Sequence, residues 1–127
     1  MKKILSKIRH TIQKYLCSQI PLKYYNSLIL PHPIGIVIAS DAKIGENVVV
    51  YQNVTIGRKS INYDSAKEYP IIEDNVIIYA GAVIAGGITV GANSVVGPNA
   101  VVTKDVQPNS LVVGFNNIKT RKEVIDL

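Results

Sequence analysis

Several residue types that mark particular functions are scarce in this chain of 127 residues. A single cysteine, Cys17, excludes an internal disulfide and fits a reducing compartment, and we expect it to pack in a helix. Two histidines, His10 and His32, are too few for an enzyme that binds its metal through three, so no metal is predicted. No run of about eighteen apolar residues is present, so no membrane-spanning helix is predicted. No secretory signal is expected either, because the N-terminus lacks an uninterrupted apolar core.

Acidic side chains are missing from the first 25 residues, which carry six basic ones. The other 102 residues contain eight basic and nine acidic side chains, so the net charge of +5 belongs to the N-terminal segment. Apolar residues recur there at helical spacing and predict an amphipathic helix over residues 2–19. A cap across the open end of the domain that follows is the favoured role. A weak contact with an anionic membrane surface is the alternative. Nucleic acid is not expected, because aromatic residues do not alternate with the basic ones.

Large aromatic residues are scarce too, with no tryptophan and one phenylalanine, so any core must be aliphatic. From Ile72 to Gln107 the chain repeats every six residues. The first position of each hexad is always Ile or Val, and the fifth is always small or β-branched. Earlier hexads begin at Ile38, Ile44, Val50 and Ile56. A strict hexapeptide period predicts a parallel β-helix, in which stacked coils bury the repeated apolar positions.

The hexads divide the chain into three predicted parts. Residues 1–30 form the helix and a proline-containing connector, residues 31–114 the β-helix domain, and residues 115–127 a charged tail that is compatible with a short helix. Sixteen residues separate Ile56 from Ile72, which breaks the period and predicts a protruding loop over 58–71. The predicted fold is therefore an all-β parallel β-helix with one N-terminal helix and one loop.

Specific motifs accompany the repeat. They are HPIGIV from His32, VYQNVTIG from Val50, the pair Tyr69-Pro70, AGA from Ala80 and VVTKDV from Val101. With these motifs the sequence resembles the hexapeptide acyltransferases, and most closely their serine O-acetyltransferase branch. The resemblance implies a left-handed β-helix, a homotrimer with active sites between subunits, acetyl-CoA as donor and a hydroxyl group as acceptor. The single cysteine predicts a cytoplasmic location.

His32 matches the catalytic histidine of that family, and a side chain that titrates near neutral pH suits a general base. The alternative is a buried structural histidine, because His32 lies one hexad before Ile38. The resemblance also implies a set of residues that contact acetyl-CoA, although glycine and alanine at these hexad positions also build corners. The set comprises Gly57, Ala80, Gly81 and Gly97 beside the pantetheine arm. The basic side chains able to pair with the phosphates of CoA are Lys104, Lys119, Arg121 and Lys122, and the alternative for each is a solvated surface charge.

The acceptor is where the sequence departs from the serine enzymes. Tyr69 replaces their second histidine, and Lys67 and Glu68 replace the charged residues before it, while Pro31 replaces an acidic neighbour of the base. A zwitterionic amino acid needs charges of both signs at fixed places. The prediction is therefore O-acetylation of a sugar of a surface polysaccharide or its precursor, with Lys67, Glu68 and Tyr69 binding the acceptor. Serine, the amine of a nucleotide-linked sugar, and a non-catalytic scaffold are the alternatives.

Overall fold

The computed structural model describes residues 1–15, 18–59 and 68–121. One α-helix, α1 (Lys2–Tyr15), and a short 3-10 turn (Leu22–Tyr24) precede twelve short strands. The strands are β1 Val37–Ile38, β2 Lys43–Ile44, β3 Val49–Val50, β4 Thr55–Gly57, β5 Ile71–Ile72, β6 Ile77–Ile78, β7 Val83–Ala85, β8 Thr89–Val90, β9 Val95–Val96, β10 Val101–Val102, β11 Ser110–Val113 and β12 Asn117–Thr120.

From β1 to β10 every third strand pairs in parallel, which wraps the chain into coils with three faces. Face 1 consists of β1, β4, β7 and β10, face 2 of β2, β5 and β8, and face 3 of β3, β6, β9, β11 and β12. Val83 pairs with Val101, and Ile71 with Thr89, so one coil takes eighteen residues, or three hexads. The predicted parallel β-helix is confirmed.

The core is the aliphatic ladder that the hexads predict. Ile56, Ile84 and Val102 at first positions, and Val76 and Ala100 at fifth positions, are all buried. Ser94 is the one polar residue at a fifth position, and it is also buried. Its hydroxyl donates to the carbonyl oxygen of Gln107 at 3.1 Å and accepts the N–H of Ser110 at 3.1 Å. Because the buried residues of one coil pack on those of the coils above and below, apolar contact between neighbouring coils stabilises the domain.

At two of the three corners the backbone is left-handed in every coil, whereas at the third only Gly86 has a positive φ among the described residues. Asn47, Asn75, Asn93 and Asn109 occupy the corner between faces 2 and 3, and Gly35, Asn53, Gly81 and Asn99 the corner between faces 3 and 1, all with positive φ. Asparagine and glycine tolerate this conformation best. The corner between faces 1 and 2 carries the insertion. Thr55 pairs with Val83, 28 residues on, which is ten more than a regular coil.

The N-terminal segment differs from its prediction in two ways. The predicted helix over 2–19 was wrong beyond Tyr15, since Gln19 forms a parallel bridge with Val37; Leu16 and Cys17 lie outside the described residues. The predicted cap was also wrong. The apolar side chains Ile4, Leu5, Ile8 and Ile12 are 48–62% exposed, and no residue of α1 belongs to the described core.

The connector covers the first coil instead. The backbone N–H of Gln19 donates to the carbonyl of Ile36, and Ile29 forms a parallel bridge with Val49. Leu28 is buried in the core, and Tyr24 donates its hydroxyl to the carbonyl oxygen of Ala42 at 2.6 Å. The edge of the first coil is thus paired along faces 1 and 3, as an exposed strand edge requires.

The C-terminal tail also departs from the expected short helix. Residues 117–120 form β12, which pairs antiparallel with β11 and closes face 3. The connection is a tight turn through Gly114 and Asn116, both with positive φ, and a hairpin of this kind leaves no length for a helix before residue 121. Residues 122–127 lie outside the described part, and the three-part division of the chain remains a prediction.

Candidate active site

His32 is an exposed side chain on the connector, immediately before the first coil. The alternative of a buried ladder residue was wrong, because the side chain of His32 is exposed, whereas Leu28 before it and Ile36 after it are buried. Two hydrogen bonds hold this segment. The hydroxyl of the buried Ser18 donates to the carbonyl of Pro33 at 3.0 Å and accepts the N–H of Ile36 at 3.2 Å. His32 therefore lies on an anchored backbone with its imidazole accessible.

Two tyrosines that the sequence reasoning missed lie beside the histidine. The rings of His32 and Tyr51 are 6.4 Å apart between centroids and tilted by 47°. Tyr51 in turn stacks on Tyr79, with centroids 5.0 Å apart and planes 16° from parallel. The register of β3 with β6 brings Tyr51 and Tyr79 into line, since each follows its strand directly. The sequence contains both tyrosines, but their alignment becomes visible only when the ten residues of the insertion are added to the regular eighteen-residue coil.

Gln52 was missed as well. Its side-chain oxygen Oε1 is buried and has no hydrogen-bond partner among the described residues. A buried acceptor without a donor costs about 1–3 kcal/mol, so such an atom is expected to meet a ligand, a water molecule or another subunit. Gln52 follows Tyr51 and belongs to the same corner, between faces 3 and 1. The corner beside the histidine thus offers an acceptor as well as an aromatic surface.

The predicted acceptor residues lie elsewhere. Glu68 and Tyr69 are half-buried and stand just before β5, at the corner between faces 1 and 2, while Lys67 lies outside the described residues. Oxygen Oε2 of Glu68 is buried without a hydrogen-bond partner in the described part of the chain. His32 lies at the opposite end of face 1. One protomer therefore does not bring His32 and Tyr69 together.

The four small residues predicted beside acetyl-CoA differ in how well the fold itself explains them. Gly81 has φ of +74°, and a Cβ there would collide with oxygen Oδ1 of Asn99. A Cβ on Gly97 would approach the carbonyl oxygen of Val112 to 3.0 Å. A Cβ on Gly57 would meet no atom within 4 Å, and the backbone there has no positive φ. Ala80 is half-buried. Of the three glycines, only Gly57 has open space that the described residues leave unfilled.

The predicted phosphate-binding residues are dispersed. Lys104 and Lys119 are exposed, on different faces of the coil. The guanidinium of Arg121 donates through Nη1 to the carbonyl oxygen of Asn93 at 2.9 Å, at the corner between faces 2 and 3. Arg121 thus secures the end of β12 and lies away from the corner of His32. Within the described residues there is also no group of three or more His, Cys, Asp or Glu side chains placed to hold a metal ion.

Comparison with known proteins identifies the family to which the repeat region belongs. Residues 69–104 match the family model described as bacterial transferase hexapeptide (six repeats). The repeat region is a hexapeptide transferase domain. The chain is 41% identical over 87 residues to a serine acetyltransferase of Staphylococcus aureus, a match that covers 68% of this chain and 40% of that protein. The predicted resemblance to the serine acetyltransferase branch is confirmed.

Solved structures agree with this hexapeptide transferase assignment. The serine acetyltransferase of Neisseria gonorrhoeae in complex with serine superposes with a TM-score of 0.65 at 35% identity, covering 73% of this chain and 36% of that one. The soybean serine acetyltransferase complexed with serine gives 0.65 at 36% identity, covering 72% and 37%. The fold is the left-handed β-helix of these enzymes, as predicted. The chain spans well under half the length of these relatives.

Proposed function

We propose that this protein is an acetyl-CoA-dependent O-acetyltransferase in which His32 is the general base. The observation that carries the proposal is the exposed imidazole, which Ser18 anchors through the backbone at the entrance to a β-helix of the serine acetyltransferase type. The single cysteine fits a cytoplasmic location, where the donor is available.

The proposed chemistry assigns one proton transfer in each direction to His32. The imidazole takes the proton from the acceptor hydroxyl while its oxygen attacks the thioester carbonyl, because an alcohol is too weak an acid to attack unaided. A carbon–oxygen bond forms, the tetrahedral oxyanion is stabilised by backbone N–H groups, and the carbon–sulfur bond then breaks. The departing CoA sulfur takes the proton from His32, which restores the neutral base.

A trimer with shared sites is part of the proposal. His32 and the pair Glu68–Tyr69 lie at opposite ends of face 1. A cleft between two protomers brings the His32 corner of one together with the Tyr69 corner of the next, which a single coil cannot do. Gly57, at the end of β4, offers the open surface along which the pantetheine arm is expected to lie.

The acceptor has two candidates. The comparisons favour L-serine over the sugar that the sequence predicts, because the relatives are named serine acetyltransferases and two of the solved structures contain serine. One observation favours a sugar. The stacked pair Tyr51 and Tyr79 beside His32 presents aromatic faces and hydroxyl groups, which suit a sugar ring better than a small zwitterion.

Thiol release from acetyl-CoA by the purified protein tests the proposal. L-serine is compared with free, nucleotide-linked and oligomeric sugars, hydroxyl and amino sugars alike, with His32→Ala as the control. Turnover that His32→Ala abolishes supports the proposal, and the active acceptor decides between serine and a sugar. If no acceptor is used and calorimetry detects no CoA binding, the protein is a non-catalytic scaffold and the proposal is wrong.

A further inference from the structure

Helix α1 exposes an apolar stripe that its own chain leaves uncovered. Ile4, Leu5, Ile8 and Ile12 are each about half exposed or more, and none belongs to the described core. With about 100° between successive residues, these four side chains fall within an arc of roughly 100° on one side of the helix. Exposed apolar area of this kind on an otherwise polar helix marks a contact surface.

The charge of the helix identifies the partner. Lys2, Lys3, Lys7 and Arg9 are exposed, and α1 contains no acidic residue. Arg9 flanks one edge of the apolar arc and Lys7 lies beyond the other, by the same helical spacing. Copies of α1 packed together would place cations side by side with no acid to offset them, so self-association is disfavoured. A surface that is apolar below and anionic above meets both features.

We propose that α1 binds the surface of a membrane that contains anionic lipid. The apolar arc enters the boundary between headgroups and acyl chains, and the lysines contact lipid phosphates. Fourteen residues of helix span about 21 Å, less than the roughly 30 Å of a hydrocarbon core, so the helix lies in the interface. None of the described helices is long and apolar enough to span a bilayer.

The remainder of the protein has almost no net charge, so it neither adds to nor opposes the attraction of α1 to anionic lipid. The 102 residues after the first 25 have one more acidic than basic side chain, so electrostatic attraction to the membrane belongs to the N-terminal segment. That segment joins the β-helix at its first coil, through the bridge of Gln19 with Val37. In the trimer of the proposed function, three copies of α1 would leave the same end of the assembly, and simultaneous contact would multiply the affinity.

Vesicle cosedimentation of the full chain provides the test. Vesicles of phosphatidylcholine with about one third phosphatidylglycerol should bind the protein, and pure phosphatidylcholine should bind it at least tenfold less well. Raising the salt concentration should release it, since exposed charges are screened. Equal binding to both vesicle types, or no binding to either, would overturn the proposal.

Matched variants separate the apolar and electrostatic contributions. Leu5→Gln with Ile8→Gln should abolish binding, whereas Thr11→Gln, beside the apolar arc, should leave it within about twofold. Lys3→Gln with Lys7→Gln should weaken binding about thirtyfold on anionic vesicles. Light scattering without lipid is the counter-test: if Leu5→Gln with Ile8→Gln lowers the oligomeric state, α1 is a contact between copies and the membrane proposal fails. Acetyl transfer in solution is unaffected by any of these outcomes, so failure here is distinguishable from failure of the proposed function.

Discussion

The β-helix and the helix α1 before it contain the same types of aliphatic residue, but the β-helix buries them and α1 exposes them. Ile84 in the β-helix is fully buried, whereas Ile4 in α1 is 62% exposed. The difference lies in the period. The six-residue repeat aligns the first position of each hexad with an isoleucine or valine in a neighbouring coil, as Ile84 is aligned with Ile56 and Val102. The helical stripe of α1 packs on no core residue within the described part of the chain. An apolar pattern therefore predicts burial only where the partner surface is also in the sequence. His32 and the pair Glu68–Tyr69 lie outside the regular repeat, so the irregular segments carry the candidate base and the predicted acceptor residues, and the β-helix holds them in place.

The largest effect is expected at the connector, from His32→Ala. Loss of a general base lowers the turnover number by about 10²–10⁴-fold. The imidazole is exposed, so the free energy of unfolding should change by no more than about 0.5 kcal/mol. Thiol release measures the expected loss of turnover, and thermal unfolding of the same preparation measures the expected lack of change in stability. A variant that loses stability along with activity would place His32 in the structural framework and not in the chemistry.

A substitution inside the repeat should show the reverse. Ile84→Ala removes buried methyl and methylene groups and should lower the free energy of unfolding by about 2–5 kcal/mol. Ile8→Ala makes the same chemical change in α1, where the side chain is about half exposed and alanine favours the helix, so we expect a change within about 0.5 kcal/mol. Urea unfolding of the two variants measures the contrast. Similar losses would show that α1 packs on the β-helix after all.

Two glycines of the repeat separate packing from cofactor binding. Gly81→Ala should destabilise the fold by about 1–3 kcal/mol, because its φ of +74° is left-handed and the new Cβ meets Asn99. The Cβ of Gly57→Ala meets no atom of the described residues, so the substitution should leave stability unchanged or slightly raised. If the pantetheine arm lies along Gly57, the same change should weaken CoA binding about tenfold by calorimetry, a steric cost of about 1.4 kcal/mol. Unaltered CoA affinity in Gly57→Ala would remove that residue from the cofactor site.

The sequence predicts the repeat in detail and the site only in part. The hexads predict which side chains are buried because the period itself sets the strand register. The exposed position of His32 depends instead on Ser18, fourteen residues earlier, and no period links the two. The Tyr51–Tyr79 stack is hidden by the insertion, which shifts the register from 18 to 28 residues. The exposure of the apolar side chains of α1 could not be predicted from the sequence, because it depends on whether the folded β-helix offers a surface for them to pack on.

Two buried serines allow the sharpest, though smallest, test of how the connector differs from the repeat. Ser18 and Ser94 each donate to a carbonyl oxygen and accept a backbone N–H, so alanine at either position removes two hydrogen bonds and leaves a buried N–H, of Ile36 or of Ser110, without that acceptor. The carbonyl oxygen of Gln107 keeps a second donor, the hydroxyl of Ser110 at 2.7 Å. Both Ser→Ala variants should therefore cost about 1–3 kcal/mol in the free energy of unfolding. Only Ser18→Ala releases the backbone that directly follows His32, at Pro33 and Ile36, so only that variant should also lower turnover, by about tenfold, with the Michaelis constant for acetyl-CoA little changed. Equal activity in the two variants would mean that the connector holds His32 without Ser18, and a similar fall in both would trace the loss to general instability. A fall confined to Ser18→Ala would identify Ser18 as a positioning residue, since the two substitutions are matched in burial and in the number of hydrogen bonds that the serine itself makes.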